Sequence, residues 1–139
     1  MLVIPAPATA SRIRDTAMSV SDHRSALIVD DDPLACEILR AFLKKSGVAD
    51  VEVALNAPSA LALLREADWQ IDILCCDLNM PEMDGVEFLG HLRDAGYRGL
   101  VILVSGASAA VVMAAAGLAQ AYGLSFAGCF KKPIDFQSL

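Results

Sequence analysis

At 139 residues the chain has room for one domain and a short tail. It is 55% hydrophobic and 20% charged, with a formal net charge of −6. That composition excludes a disordered chain, which needs low hydrophobicity, and argues against a nucleic-acid-binding module, which needs a basic patch.

Residues 1–24 show no aromatic side chain and no clear period, so they read as a flexible N-terminal tail, with Met18 a candidate start. Pro5 and Pro7 interrupt the first apolar stretch and no positive region precedes it, which argues against a signal peptide. Ala26 to Val29 is a continuous apolar run, as expected of a strand buried on both faces. It runs into Asp30, Asp31, Asp32 and Pro33. Asp32 suits a helix N-cap and Pro33 the first helical position. Leu34, Ile38 and Phe42 recur at helical spacing, and Gly47 stops that helix.

Val51 and Val53 mark a second strand, and Pro58 to Asp68 a second helix with Leu61 and Leu64 inward. Ile71 to Cys76 is a third strand ending at Asp77. A turn-rich loop to Gly85 follows. Asp84 suits a cap for a third helix, whose apolar side is Val86, Phe88, Leu89 and Leu92. Leu100 to Val104 is a fourth strand ending at Ser105 and Gly106. Ala107 to Tyr122 is an alanine-rich fourth helix, and Ser125 to Phe130 a fifth strand before Lys131, Lys132 and Pro133. Strict alternation of strands and helices implies an α/β fold: a parallel sheet with helices on both faces and function at the carboxyl ends of the strands.

From Gly99 to Phe130 no residue is charged, which raises the question of a membrane span. Ser105, Gly106 and Gly123 divide that run into strand, helix and strand, so no membrane span is expected. The fourth helix then carries no charge on its outward face, which makes it a candidate docking or homodimer surface. The four cysteines, Cys36, Cys75, Cys76 and Cys129, form no C-x-x-C pair and read as small buried hydrophobes in a reducing cytoplasm. Cys75 and Cys76, adjacent in a strand, should point to opposite faces.

The alternation brings Asp30, Asp31, Asp77, Ser105 and Lys132 to one edge of the sheet. Three close carboxylates repel unless a cation intervenes, and Mg²⁺, which prefers oxygen ligands, fits them. Asp31 and Asp77 would ligate it, Asp30 would hold a metal-bound water, and the main-chain carbonyl of Asn79 would complete the protein ligands. Lys132 and the Ser105 hydroxyl suit phosphoryl oxygens. A carboxylate nucleophile, a divalent cation, a lysine and a hydroxyl make an aspartyl-phosphate site, with Asp77 the nucleophile.

These residues stand in four segments: Leu27 to Pro33 (LIVDDDP), Cys76 to Gly85 (CDLNMPEMDG), Val104 to Gly106, and Lys131 to Pro133. Together they resemble the receiver domain of bacterial two-component response regulators, over residue 25 to the end. The resemblance implies a flavodoxin-like, doubly wound, five-stranded parallel sheet of order 2-1-3-4-5, with the fifth helix truncated after Pro133 and residues 25–139 cut from a longer protein. It implies that Asp77 is the phosphoacceptor and that Asp30, Asp31, Asp77 and the Asn79 carbonyl hold Mg²⁺ or Mn²⁺. Ser105 would be the switch hydroxyl, Lys132 would bind the phosphoryl group, and the Lys132–Pro133 peptide would be cis.

The implied partners are a sensor histidine kinase or phosphotransfer protein and an unknown output domain, with the fourth helix and fifth strand as the switched face and possible homodimer surface. The implied location is cytoplasmic, and no direct nucleic-acid contact is expected. Two features depart from the family pattern. Cys129 stands where a switch aromatic is usual, with Phe130 one residue out on the other face, and the span from Ser105 to Lys132 is longer by about one helical turn. The stretch Gly117 to Gly128 looks like receivers found ahead of EAL-type cyclic-di-GMP phosphodiesterase domains.

Two other readings stay open. A haloacid-dehalogenase-like phosphohydrolase also uses an aspartyl phosphate, but needs a second aspartate where Asn79 stands. A receiver-fold interaction module without phosphorylation would need no metal.

Overall fold

The computed structural model describes residues 25–80, 83 and 85–133. The tail, the proposed Asp84 cap and the truncated fifth helix fall outside the described residues. The described elements alternate throughout: β1 (Ser25–Val29), α1 (Pro33–Lys45), β2 (Asp50–Ala54), α2 (Ala57–Glu66), β3 (Ile73–Asp77), α3 (Gly85–Ala95), β4 (Leu100–Ser105), α4 (Ala109–Ala121) and β5 (Ser125–Lys131). All five strands pair in parallel, in the order β2-β1-β3-β4-β5, the flavodoxin-like arrangement. The chain winds outward from β1 to β2, then returns past β1 to β3. The switch point therefore lies between β1 and β3, where Val29 pairs with Cys76.

The helices start where side chains satisfy their first amides. Asp32 accepts from Leu34 N at 3.1 Å with Pro33 in the first turn, Asn56 accepts from Ser59 N at 2.8 Å, and Ser108 caps α4. Two apolar layers sandwich the sheet. One joins Leu27, Val29, Leu74 and Cys76 to Ala60 and Leu64 of α2, Phe88 and Leu92 of α3, and Ala115, Ala116 and Ala119 of α4. The other joins Ile28, Ile73, Cys75, Ile102 and Phe130 to Cys36, Leu39 and Phe42 of α1. The rings of Phe42 and Phe130 meet edge to face, 5.7 Å between centroids. Cys75 and Cys76 do face opposite layers, and all four cysteines are buried and free. Among the described residues no helix is long and apolar enough to cross a membrane.

Four expectations need correction. The fourth helix begins at Ala109 rather than Ala107, because Ser108 caps it. The second helix ends at Glu66, because Asp68 and Trp69 take left-handed backbone (φ 54° and 60°) and Trp69 N turns back to Leu64 O at 2.8 Å. Val86 is 48% exposed, so the inward side of α3 is Phe88, Leu89 and Leu92 alone. The third strand begins at Ile73; Asp72 before it is tied to Ser25, whose N–H reaches Asp72 Oδ2 at 3.1 Å.

The register between β4 and β5 carries a bulge. Val101 pairs with Phe126 but Ile102 pairs with Gly128, leaving Ala127 as an extra residue. One extra residue reverses the facing of everything after it. Cys129 therefore joins the α4 side and Phe130 the α1 side.

The loop from β3 to α3 closes where Gly85 N donates to Leu78 O at 3.0 Å. A Cβ on Gly85 would lie 2.6 Å from Leu78 Cα, so the helix backbone approaches a distance only glycine allows. The Gly85→Ala variant should lose about 1–3 kcal/mol of stability, measured by urea unfolding.

Candidate functional site

Four strand ends deliver the sequence-predicted residues to one edge of the sheet. Asp30 follows β1 directly, and its N–H extends the ladder to Ala54 O at 3.1 Å. Asp77 is the last residue of β3 and Ser105 the last of β4. Lys132 follows β5, and its N–H reaches Ser105 O at 2.9 Å. Asp30, Asp77 and Ser105 are 0%, 2% and 1% exposed. The Lys132–Pro133 peptide is cis, as the sequence resemblance implied.

The Lys132 ammonium stands 3.0 Å from each oxygen of Asp30, with hydrogen-bond geometry to Oδ1, and 3.4 Å from Asp77 Oδ2. Asp30 Oδ1 also accepts from Asp32 N at 2.9 Å, and Asp77 Oδ1 accepts from Asn79 N at 3.1 Å. Asp30 Oδ2 is buried and accepts no hydrogen bond; it faces the Lys132 ammonium 3.0 Å away as an ion pair. Asp30, Asp31 and Asp77 each bring a carboxylate oxygen within 4.8 Å of the others, Asp31 from an exposed position. Three carboxylates and one ammonium sum to −3 + 1 = −2, which a divalent cation would balance. The donor set is all oxygen, which fits Mg²⁺ or Mn²⁺. Asp32 stays outside the cluster and serves the helix cap.

Burial pushes the Asp77 carboxyl up to about 6; the Asn79 N–H opposes that rise, Asp30 adds to it and Lys132 opposes it. For Lys132, burial pulls its pKa down, but the Asp30 and then the Asp77 carboxylates outweigh it and hold the ammonium above its ordinary value. Burial likewise raises Cys129 to about 11, so it is an inert thiol.

Asp31, Asp77, Asn79 and Lys132 line a cavity of about 530 Å³, which Leu78, Gly106, Ala107 and Val111 complete. Ser105 sits behind this lining. Its Oγ accepts from Ala107 N at 2.9 Å, so the hydroxyl is already engaged with the loop that leads into α4. Sequence reasoning missed Ala107 and Val111 on the rim, because nothing in an alanine-rich helix marks which turn overhangs a pocket. It also missed Cys36, whose thiol donates to Asp30 O at 3.4 Å from beneath.

The family profile described as "Response regulator receiver domain" matches residues 26–139. The chain is 30% identical over 115 residues to the cyclic di-GMP phosphodiesterase RocR of Pseudomonas aeruginosa, covering 83% of this chain but only 29% of RocR. It therefore spans under a third of that relative's length. Among solved structures, a response regulator from Colwellia psychrerythraea is 32% identical with a TM-score of 0.69, covering 82% of this chain and 88% of that one. The receiver domain of the Arabidopsis thaliana histidine kinase CKI1, complexed with Mg²⁺ and BeF₃⁻, is 25% identical with a TM-score of 0.68, covering 91% of both chains.

The raised Asp77 carboxyl has a consequence for stability. Because its folded value lies above the ordinary 3.8, the folded state holds the proton more tightly than the unfolded chain. Its stabilising contribution is full below about pH 4 and is lost as pH rises through about 6. In EDTA at pH 7.5 the Asp77→Asn variant should therefore be more stable than the parent, by at most about 3 kcal/mol, with the gap closing toward pH 4. Urea unfolding across that pH range measures it.

Proposed function

The chain belongs to the response regulator receiver family, and on that premise we propose that it is a phosphorylation-controlled signalling switch with Asp77 as the phosphoacceptor. The observation that carries the reading is the Lys132 ammonium set between the buried carboxylates of Asp30 and Asp77, beside a net −2 cluster.

In this reading Asp30, Asp31, Asp77 and the Asn79 main-chain carbonyl hold the divalent cation, which when bound neutralises charge on the phosphoryl oxygens. The CKI1 receiver, similar in fold, is complexed with that cation and BeF₃⁻. Asp77 lies on the pocket floor with one oxygen held by Asn79 N–H, which leaves the other beside Lys132 to attack phosphorus. The donor is a phosphohistidine on a sensor kinase or phosphotransfer protein. Its P–N bond breaks as the Asp77 O–P bond forms, and the electron pair returns to the imidazole ring. Lys132 neutralises a phosphoryl oxygen, and the Ser105 hydroxyl, whose Oγ accepts from Ala107 N–H, donates its own proton to another. The domain itself turns over no other substrate.

The readout is the face of α4 and β5, which also serves as a homodimer surface in this reading: Met113 is 46% exposed, and α4 carries no charge. The identity to RocR and the Gly117 to Gly128 stretch favour a cyclic-di-GMP phosphodiesterase as the output.

Incubation with acetyl phosphate and Mg²⁺ should add the mass of one phosphoryl group, read by intact mass spectrometry. The Asp77→Asn variant should add none, and EDTA should abolish the gain in the parent. Absence of any adduct with both acetyl phosphate and a histidine kinase would overturn the reading.

A further inference from the structure

We propose that Arg93 is the latch of α4: its guanidinium, set over the Tyr122 ring, pins the carboxyl end of that helix to α3. The pinning stands without the phosphoacceptor reading. Its consequence for signalling rests on that reading, in which α4 belongs to the output face.

The residues of α4 hold it in place only weakly. The helix carries no charged side chain, with no acidic residue in its first turn and no basic one in its last. Its dipole therefore meets no counter-charge of its own at either end. The stripe it buries is Ala115, Ala116 and Ala119, whose methyl groups make few contacts with the sheet compared with a leucine. Gly117 lies inside the helix, where glycine is less favourable than alanine. Ser108 caps the amino end through a bond of 3.5 Å, and Tyr122 is the C-cap.

What α4 lacks at its carboxyl end, α3 supplies. The Arg93 guanidinium carbon lies 4.3 Å from the centre of the Tyr122 ring, inside cation–π range. Arg93 stands in the last turn of α3, so one cation serves the carboxyl ends of both helices. Asp94 Oδ1 accepts from Arg93 Nε at 2.9 Å and orients the guanidinium. Tyr122 packs against the apolar layer that α3 and α4 share. Among the described residues, Arg93 gives α4 its one charged contact with a neighbouring helix. Without it, the carboxyl half of α4 is held to α3 by apolar contact alone and opens more readily.

Hydrogen exchange of the intact chain, read by mass spectrometry without metal or phosphoryl donor, tests the latch. Peptides covering residues 115–124 should exchange roughly threefold faster in Arg93→Ala than in the parent. Tyr122→Phe, which keeps the ring, should match the parent, and Tyr122→Leu should exchange faster. In the Tyr122→Leu background, Arg93→Ala should add nothing, because the contact is already gone. Peptides of α1, packed on the opposite face of the sheet, should not change in any variant. Unchanged exchange in Arg93→Ala, or an equal increase from Arg93→Ala in both backgrounds, would overturn the latch. Failure of the parent to load with acetyl phosphate would remove the output reading of α4, while the exchange result would still decide the latch.

Discussion

The Lys132 ammonium lies 3.0 Å from both oxygens of Asp30 and 3.4 Å from Asp77 Oδ2, and so ties the ends of β1, β3 and β5 to one point. Without it, two carboxylates that are almost wholly buried would face each other across the switch point of the sheet. The cost of such a pair exceeds what a buried Leu or Phe contributes, about 1.5–3 kcal/mol each. The two apolar layers around the sheet sustain that arrangement; they do not cause it. The lysine compensates incompletely: one positive group among three negative ones leaves a net charge that a divalent cation would balance.

The same strand ends fix the loop into α4. Ser105, buried at the end of β4, accepts from the Ala107 amide through its Oγ. The usual aromatic relay has no counterpart on the α4 side: the bulge at Ala127 turns Cys129 toward α4 and sends Phe130 to pack on Phe42 in the opposite layer. α4 itself meets the sheet through small side chains, Ala115, Ala116 and Ala119.

Much of this was legible in the amino-acid sequence because it depends on local signals. Continuous apolar runs gave the buried strands, Asp32–Pro33 the start of α1, and the carboxylates closing the first and third runs gave the acidic edge. Adjacent Cys75 and Cys76 followed from strand alternation alone. What stayed hidden depends on long-range geometry. The bulge at Ala127 is a matter of pairing between strands, and Gly128, an isolated glycine inside the strand, was the signal that could have found it. Val86 fits the helical period of α3 yet points outward, since period fixes a stripe but not its width. The clip between Ser25 and Asp72 spans 47 residues of chain. The rim residues Ala107 and Val111 become visible only when α4 is laid over the strand ends.

The central claim is that Lys132 is a stand-in counter-charge whose loss a divalent cation can make good. Unfolding of the parent and of Lys132→Met, each in EDTA and in saturating Mg²⁺, tests it most directly. The account predicts a loss of about 3 kcal/mol on substitution in EDTA, most of it regained when Mg²⁺ is added. An equal loss with and without Mg²⁺ would contradict it.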